Sequence, residues 1–105
     1  MDRKLEIKIE MGIALKVAKA LLKAGYKLGV NDGEETTIKN SDNLLKISKA
    51  LFTTDQDHLL VYKSNEEIGW VFLVWGNVED VVSDYSINLD GIISPIISNI
   101  DITVR

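Results

Sequence analysis

The run Trp70-Val71-Phe72-Leu73-Val74-Trp75 constrains this chain more than any other segment. In extended backbone, successive side chains alternate faces, so Trp70, Phe72 and Val74 point one way and Val71, Leu73 and Trp75 the other. Both faces are therefore apolar. A strand of that kind either lies centrally in a two-sided core or offers one face to a partner. As an apolar run it is far shorter than the ~20 residues a membrane helix needs. The segment Ile68 to Trp75 reads as one strand, and His58 to Lys63 as its neighbour across the polar loop Ser64-Asn65-Glu66-Glu67. Gly76-Asn77 then suggests a turn into Val81-Val82, which gives a three-stranded meander. A helix from Asn77, with Asp80 at the capping position and Val78, Val81, Val82 and Tyr85 spaced along it, is the competing reading; the β-branched pair favours strand.

Elsewhere the period changes. Leu5, Ile7, Ile9 and Met11 alternate with Lys4, Glu6, Lys8 and Glu10, which predicts a half-buried strand. Ile13, Ala14, Val17, Ala18 and Leu21 then share a helical face, with Lys16, Lys19 and Lys23 on the other, so a first helix is expected over 12–24 and Gly25 would stop it. Tyr26 to Val30 and Thr36 to Lys39 read as a hairpin around Asn31-Asp32-Gly33. Ser41 or Asp42 would cap a second helix over 42–52, carrying Leu44, Ile47, Ser48 and Leu51 inward in a stripe widened by Leu45 and Phe52, with Lys46 and Lys49 outward. Leu89, Ile92, Ile93, Ile96, Ile97 and Ile100 have helical spacing, interrupted by Pro95, which either disturbs a helix or restarts one behind Ser94.

The expected order is β-α-β-β-α-β-β-β-α. Each helix has one apolar stripe, so the economical arrangement is an α+β fold: an antiparallel sheet of five to six strands with helices packed mainly on one face. The 105 residues form a single domain, 1–105, with no internal repeats or low-complexity linkers. Cysteine is absent, which removes disulfides and thiolate metal sites and fits a reducing cytoplasm. The opening Met1-Asp2-Arg3-Lys4 does not have the form of a signal peptide, and no membrane association is expected.

No catalytic apparatus is legible, and the chain is expected not to be an enzyme, with no cofactor and no metal. His58 is the single histidine; zinc needs three or four ligands, and no second His or any Cys accompanies it. It reads as a polar residue at the entrance of a strand. No Ser sits in Gly-x-Ser-x-Gly, and Gly25, Gly29 and Gly33 lack the context of a phosphate loop. They read as helix stop, strand glycine and turn.

Surface chemistry offers more. Residues 1–52 carry ten Lys/Arg and seven Asp/Glu, a balance of +3; residues 53–105 carry two and nine, a balance of −7, together the net −4 of the chain. Glu79, Asp80, Asp84 and Asp90 concentrate the negative charge, and with Trp70 and Trp75, aromatic types favoured as interface anchors, they are the candidate partner-binding residues. A divalent-cation site among those acids lacks a supporting Asp-x-Asp-x-Asp-Gly loop, and a solvated acidic surface is the plainer reading. Lys16, Lys19, Lys23, Lys46 and Lys49 form a basic face suited to nucleic acid, but the net charge is negative and Arg is scarce. Nucleic acid is the alternative rather than the expected partner.

Val30-Asn31-Asp32-Gly33-Glu34-Glu35, Asp80-Val81-Val82-Ser83-Asp84-Tyr85-Ser86 with Asn88-Leu89, and Gly25-Tyr26 after a lysine-rich helix together resemble small proteins encoded by bacteriophages and prophages. That resemblance implies an accessory protein of the infected cell's cytoplasm and carries over no active residues. The resulting expectation is a non-enzymatic binding module that contacts a host protein or a second copy of itself, with an acidic surface able to inhibit a basic host factor.

Overall fold

A computed structural model describes residues 2–100 of the chain. Three helices and five strands follow one another: α1 (Arg3–Lys23), β1 (Lys27–Asn31), β2 (Thr36–Ser41), α2 (Leu44–Ala50), β3 (Gln56–Lys63), β4 (Glu66–Val74), β5 (Val82–Tyr85) and α3 (Asp90–Ser98). Single 3₁₀ turns at Val78–Asp80 and Ile87–Leu89 lead into β5 and α3. The sheet is antiparallel throughout, in the order β2-β1-β3-β4-β5. The fold is α+β as the sequence predicts, and the meander β3-β4-β5 is present with 82–85 as strand.

The expected first strand is not there. Residues 4–11 form the first turns of α1, and Leu5, which a strand would have buried, is 42% exposed. Two physical reasons favour helix. Extending an existing helix N-terminally avoids a new nucleation step, and Asp2 caps the new end by accepting from the Lys4 N–H at 3.0 Å. Helical geometry also aligns Arg3 and Glu10 two turns apart, where Arg3 Nη1 meets Glu10 Oε2 at 2.9 Å. At the other end Gly25, at φ +98°, takes the left-handed position, and the N–H groups of Gly25 and Tyr26 return to the carbonyls of Leu22 and Leu21.

The remaining boundaries follow local chemistry. Asn31 and Asp32 accept from the N–H groups of Gly33, Glu34 and Glu35 and close the first hairpin. Asn43, rather than Ser41 or Asp42, caps α2 by accepting from the Lys46 N–H. Leu45, expected to widen the inner stripe of this helix, is instead 62% exposed. The β3-β4 turn is only Ser64-Asn65, both at positive φ (53° and 70°), the conformation whose twist matches a two-residue hairpin. Helix α3 runs through Pro95 rather than restarting there. Proline lacks an N–H and its ring crowds the carbonyl four residues back, here that of Gly91.

All three helices lie on one side of the sheet. Ala14, Val17, Ala18 and Leu21 of α1, Ile47 of α2 and Ile93 of α3 are fully buried with Leu28, Val30, Leu59, Val61, Val71 and Leu73 of the strands. Ile9, Met11, Leu15, Ile92, Ile96 and Ile97 pack around this cluster. Among the described residues no helix is long and apolar enough to cross a membrane.

Candidate interaction face

Among the described residues, no helix lies on the other side of the sheet. Strand alternation sends Gly29 from β1, His58, Leu60 and Tyr62 from β3, and Trp70, Phe72 and Val74 from β4 onto that side. Leu60, Tyr62, Trp70, Phe72 and Val74 are half-buried by one another and stand outside the core cluster that the helices cover. Register sets them in rows across the strands. Asn31, His58, Phe72 and Asp84 form one row; Gly29, Leu60 and Trp70 the next; Lys27, Tyr62 and Glu67 a third. The row of Glu67 depends on a bulge between Val61 and Tyr62, which turns Ile68 toward the core and leaves Glu67 opposite Tyr62. Proximity to the Glu67 carboxylate adds to burial in raising the Tyr62 hydroxyl above its ordinary pKa.

Rings dominate the centre. His58 stacks on Phe72 at 4.5 Å between centroids and 14° between planes, and meets Trp70 edge-on at 6.2 Å. The Tyr62 ring lies beside Gly29, where a Cβ would come within 3.0 Å of its Cε2. Ser86 holds Trp70 in place: its Oγ accepts from the Trp70 N–H at 3.0 Å and its own N–H donates to the Trp70 carbonyl at 3.0 Å. His58 is thus an aromatic member of this face, as well as a residue near the strand's entrance.

Trp75 belongs elsewhere. It is 7% exposed, points to the helix side, stacks on Phe52 at 4.9 Å and donates its indole N–H to Asp57 Oδ2 at 2.8 Å. The alternation read from the sequence places Trp70 and Trp75 on opposite faces, and the structure agrees, so the two tryptophans do not share a surface. Asp57 also accepts from the Phe52 N–H at 2.9 Å, while its Oδ1 has no hydrogen-bond partner among the described residues. Burial, only partly offset by these donors, raises the Asp57 carboxyl above the usual aspartate range. Glu10 is the counterpart. It is 0% exposed and accepts from Arg3, from the Gly76 N–H (2.9 Å) and from the Val78 N–H (3.1 Å). Burial raises its pKa, but the Arg3 and backbone hydrogen bonds outweigh that and hold it below the glutamate range.

The two carboxylates share a task. Phe52 and Val78 sit at φ +62° and +51°, a region costly for any residue with a Cβ and most of all for a branched one. Each donates its N–H to one of the buried carboxylates. Charge-assisted hydrogen bonds thus hold the loop after α2 and the turn after β4 in strained conformations. Sequence reasoning assigns this task to neither acid: Asp57 stands out only as a neighbour of His58, and a lone Glu in an alternating pattern carries no motif.

The predicted acidic residues line one end of the sheet rather than a pocket. Glu79 and Asp80 lie in the 3₁₀ turn after β4, Asp84 points outward from edge strand β5 beside Phe72, and Asp90 opens α3 and accepts from the Tyr85 hydroxyl at 2.5 Å. Charge along an exposed edge also discourages pairing with another strand. Among the described residues no three His, Asp or Glu side chains converge to hold a cation. The lysines lie on the helix layer, on the side of the molecule opposite the aromatic face. Lys16, Lys19 and Lys23 are exposed on the outer side of α1 together with Lys4 and Lys8, and Lys46 and Lys49 are exposed on α2. Comparison with family models, with curated proteins and with solved structures yields no match to this chain.

Proposed function

We propose that this protein is a small binding module that acts by protein–protein contact through the outer face of its sheet. The observation that carries the reading is that Leu60, Tyr62, Trp70, Phe72 and Val74, with His58 stacked among them, form a continuous apolar and aromatic surface with no helix over it. Soluble chains rarely leave such a patch uncovered unless it meets something. Aromatic anchors surrounded by polar groups, here Lys27, Asn31, Glu67 and Asp84, are the usual anatomy of a contact surface. Of the acidic residues, Asp84 lies on this face in the row of Phe72 and would favour a basic group opposite it, while Glu79, Asp80 and Asp90 lie toward the helix side of the same edge. The phage resemblance supports a setting in the cytoplasm of an infected cell, with a host factor among the targets.

A photo-cross-linking amino acid at Phe72, compared with one at Lys19 on the opposite layer, tests the reading in living cells. Adducts to protein from position 72 and few from position 19 are expected. Adducts from position 19 alone, or none from position 72, would overturn it.

One observation favours a second reading. Lys4, Lys8, Lys16, Lys19 and Lys23 follow helical spacing along the side of α1 away from the core, and both acids of the helix, Glu6 and Glu10, lie off that stripe. An unmixed lysine stripe suits a polyanion such as nucleic acid. A labelled DNA oligonucleotide should then gain anisotropy at low salt and lose it when Lys16, Lys19 and Lys23 become glutamate; no gain at about 50 mM salt ends that reading.

A further inference from the structure

We infer that the occupant of the outer sheet face is a second copy of this chain, packed face to face about a two-fold axis that runs parallel to the strands, over β3 and midway between the two sheets. The inference rests on the protein-contact reading above and names its partner. It starts from the order of the strands. In β2-β1-β3-β4-β5 the central strand is β3, the strands on one side come from the positive half of the chain, and those on the other come from the negative half. Most of the positive charge lies on α1 and α2, but the strands keep a polarity of their own, Lys27 and Lys39 on β1 and β2 against Glu66, Glu67 and Asp84 on β4 and β5.

A two-fold axis along β3 superposes each strand on its mirror position in that order while keeping the rows in line. Strand β1 of one copy lies over β4 of the other. In the row Lys27, Tyr62, Glu67, the lysine meets the glutamate of the second copy, twice by symmetry. In the row Gly29, Leu60, Trp70, the indole of one copy comes over Gly29, whose open side the Tyr62 ring of the same chain already covers, so the contact there is ring on ring. Leu60 and His58, on the axis strand, meet their own equivalents. An axis perpendicular to the strands would instead lay β1 on β1 and β4 on β4 and lose the charge pairing.

Size is compatible with a stable pair. Five strands about 4.8 Å apart and roughly 20 Å long present about 500 Å² in projection, and side-chain relief brings this near the ~800 Å² per partner of a standard interface. Packed sheets stand about 10 Å apart, a gap that a lysine and a glutamate bridge together.

Light scattering and sedimentation equilibrium on the full chain test the proposal. The wild type is expected to be dimeric at about 100 µM, a concentration well above the dissociation constants of specific pairs. Lys27→Glu and Glu67→Lys should each weaken association by about tenfold or more, since each sets like charges opposite one another. Mixed in equal amounts, the two variants should associate again as a heterodimer, because both contacts in the mixed pair join opposite charges. Both positions are exposed, and circular dichroism is to check that each variant is folded. A monomeric wild type overturns the second copy as partner yet leaves the cross-linking result at position 72 free to stand. A dimer indifferent to either charge change, or a mixture that does not recover, overturns the arrangement.

Discussion

Replacing Glu10 by alanine isolates what the buried carboxylate contributes. The side chain is fully buried and accepts three hydrogen bonds, two of them from the backbone of the turn after β4. Arg3, with its side chain 46% exposed, can turn to water, so its loss adds little. The Gly76 and Val78 N–H groups have no such recourse while the turn keeps its shape, and a stranded buried donor costs about 1–3 kcal/mol. Two of them give about 2–6 kcal/mol, and relaxation of Val78 out of its left-handed conformation returns part of that. A net loss of about 3 kcal/mol is expected, against a total of roughly 5–15 kcal/mol for a domain of this size. Glu10→Gln keeps the shape but places an amide NH₂ against one of the two donors, and should cost about 2 kcal/mol.

Urea unfolding followed by tryptophan fluorescence measures both, and Tm should fall by roughly 4–8 °C per kcal/mol. The pH dependence supplies an independent check. The folded-state pKa of Glu10 is lowered, so its contribution is complete above the ordinary glutamate pKa and disappears as pH falls through the folded value. The gap between wild type and Glu10→Gln should therefore be widest at neutral pH and close in acid. A loss under about 1 kcal/mol for Glu10→Ala, or a gap that does not change with pH, would refute the reasoning.

Asp57→Asn should behave with the opposite sign. Burial raises the folded pKa of Asp57, so the wild type is favoured below the ordinary aspartate value and loses stability, relative to the asparagine variant, as pH rises through the folded pKa; paired urea titrations from acid to neutral pH measure this. Gly29→Ala should destabilise by about 1–3 kcal/mol, because its Cβ would lie 2.6 Å from the Ile38 carbonyl oxygen and 3.0 Å from Tyr62 Cε2; hydrogen exchange should show faster opening of the β1–β2 pair.

Much of the framework was legible in the residues themselves. The alternation of 58–63 and 68–75, the stripe Ile13-Ala14-Val17-Ala18-Leu21 and the Asn-Asp-Gly turn each specify local structure through a period or a conformational preference that acts over a few residues. Those signals were enough for the α+β class, the meander and the two faces of the Trp70–Trp75 strand. They misread 4–11, where strand alternation and helical continuation compete and the deciding contacts come from Gly76 and Val78, more than sixty residues away. They could not separate Trp70 from Trp75 in role either, because only packing shows that the helices cover one face and leave the other.

The sequence by itself determined which segments are apolar, where the turns fall and that positive charge precedes negative along the chain. Tertiary structure alone decided where those properties meet. Pairing β1 with both β2 and β3 sets the lysine-bearing strands on one side of the sheet and Glu67 and Asp84 on the other. Burial turned two ordinary acids into anchors for strained loops, with pKa shifts of opposite direction. These are long-range outcomes, and a local pattern has no access to them because desolvation and cross-strand register depend on residues far apart in the chain.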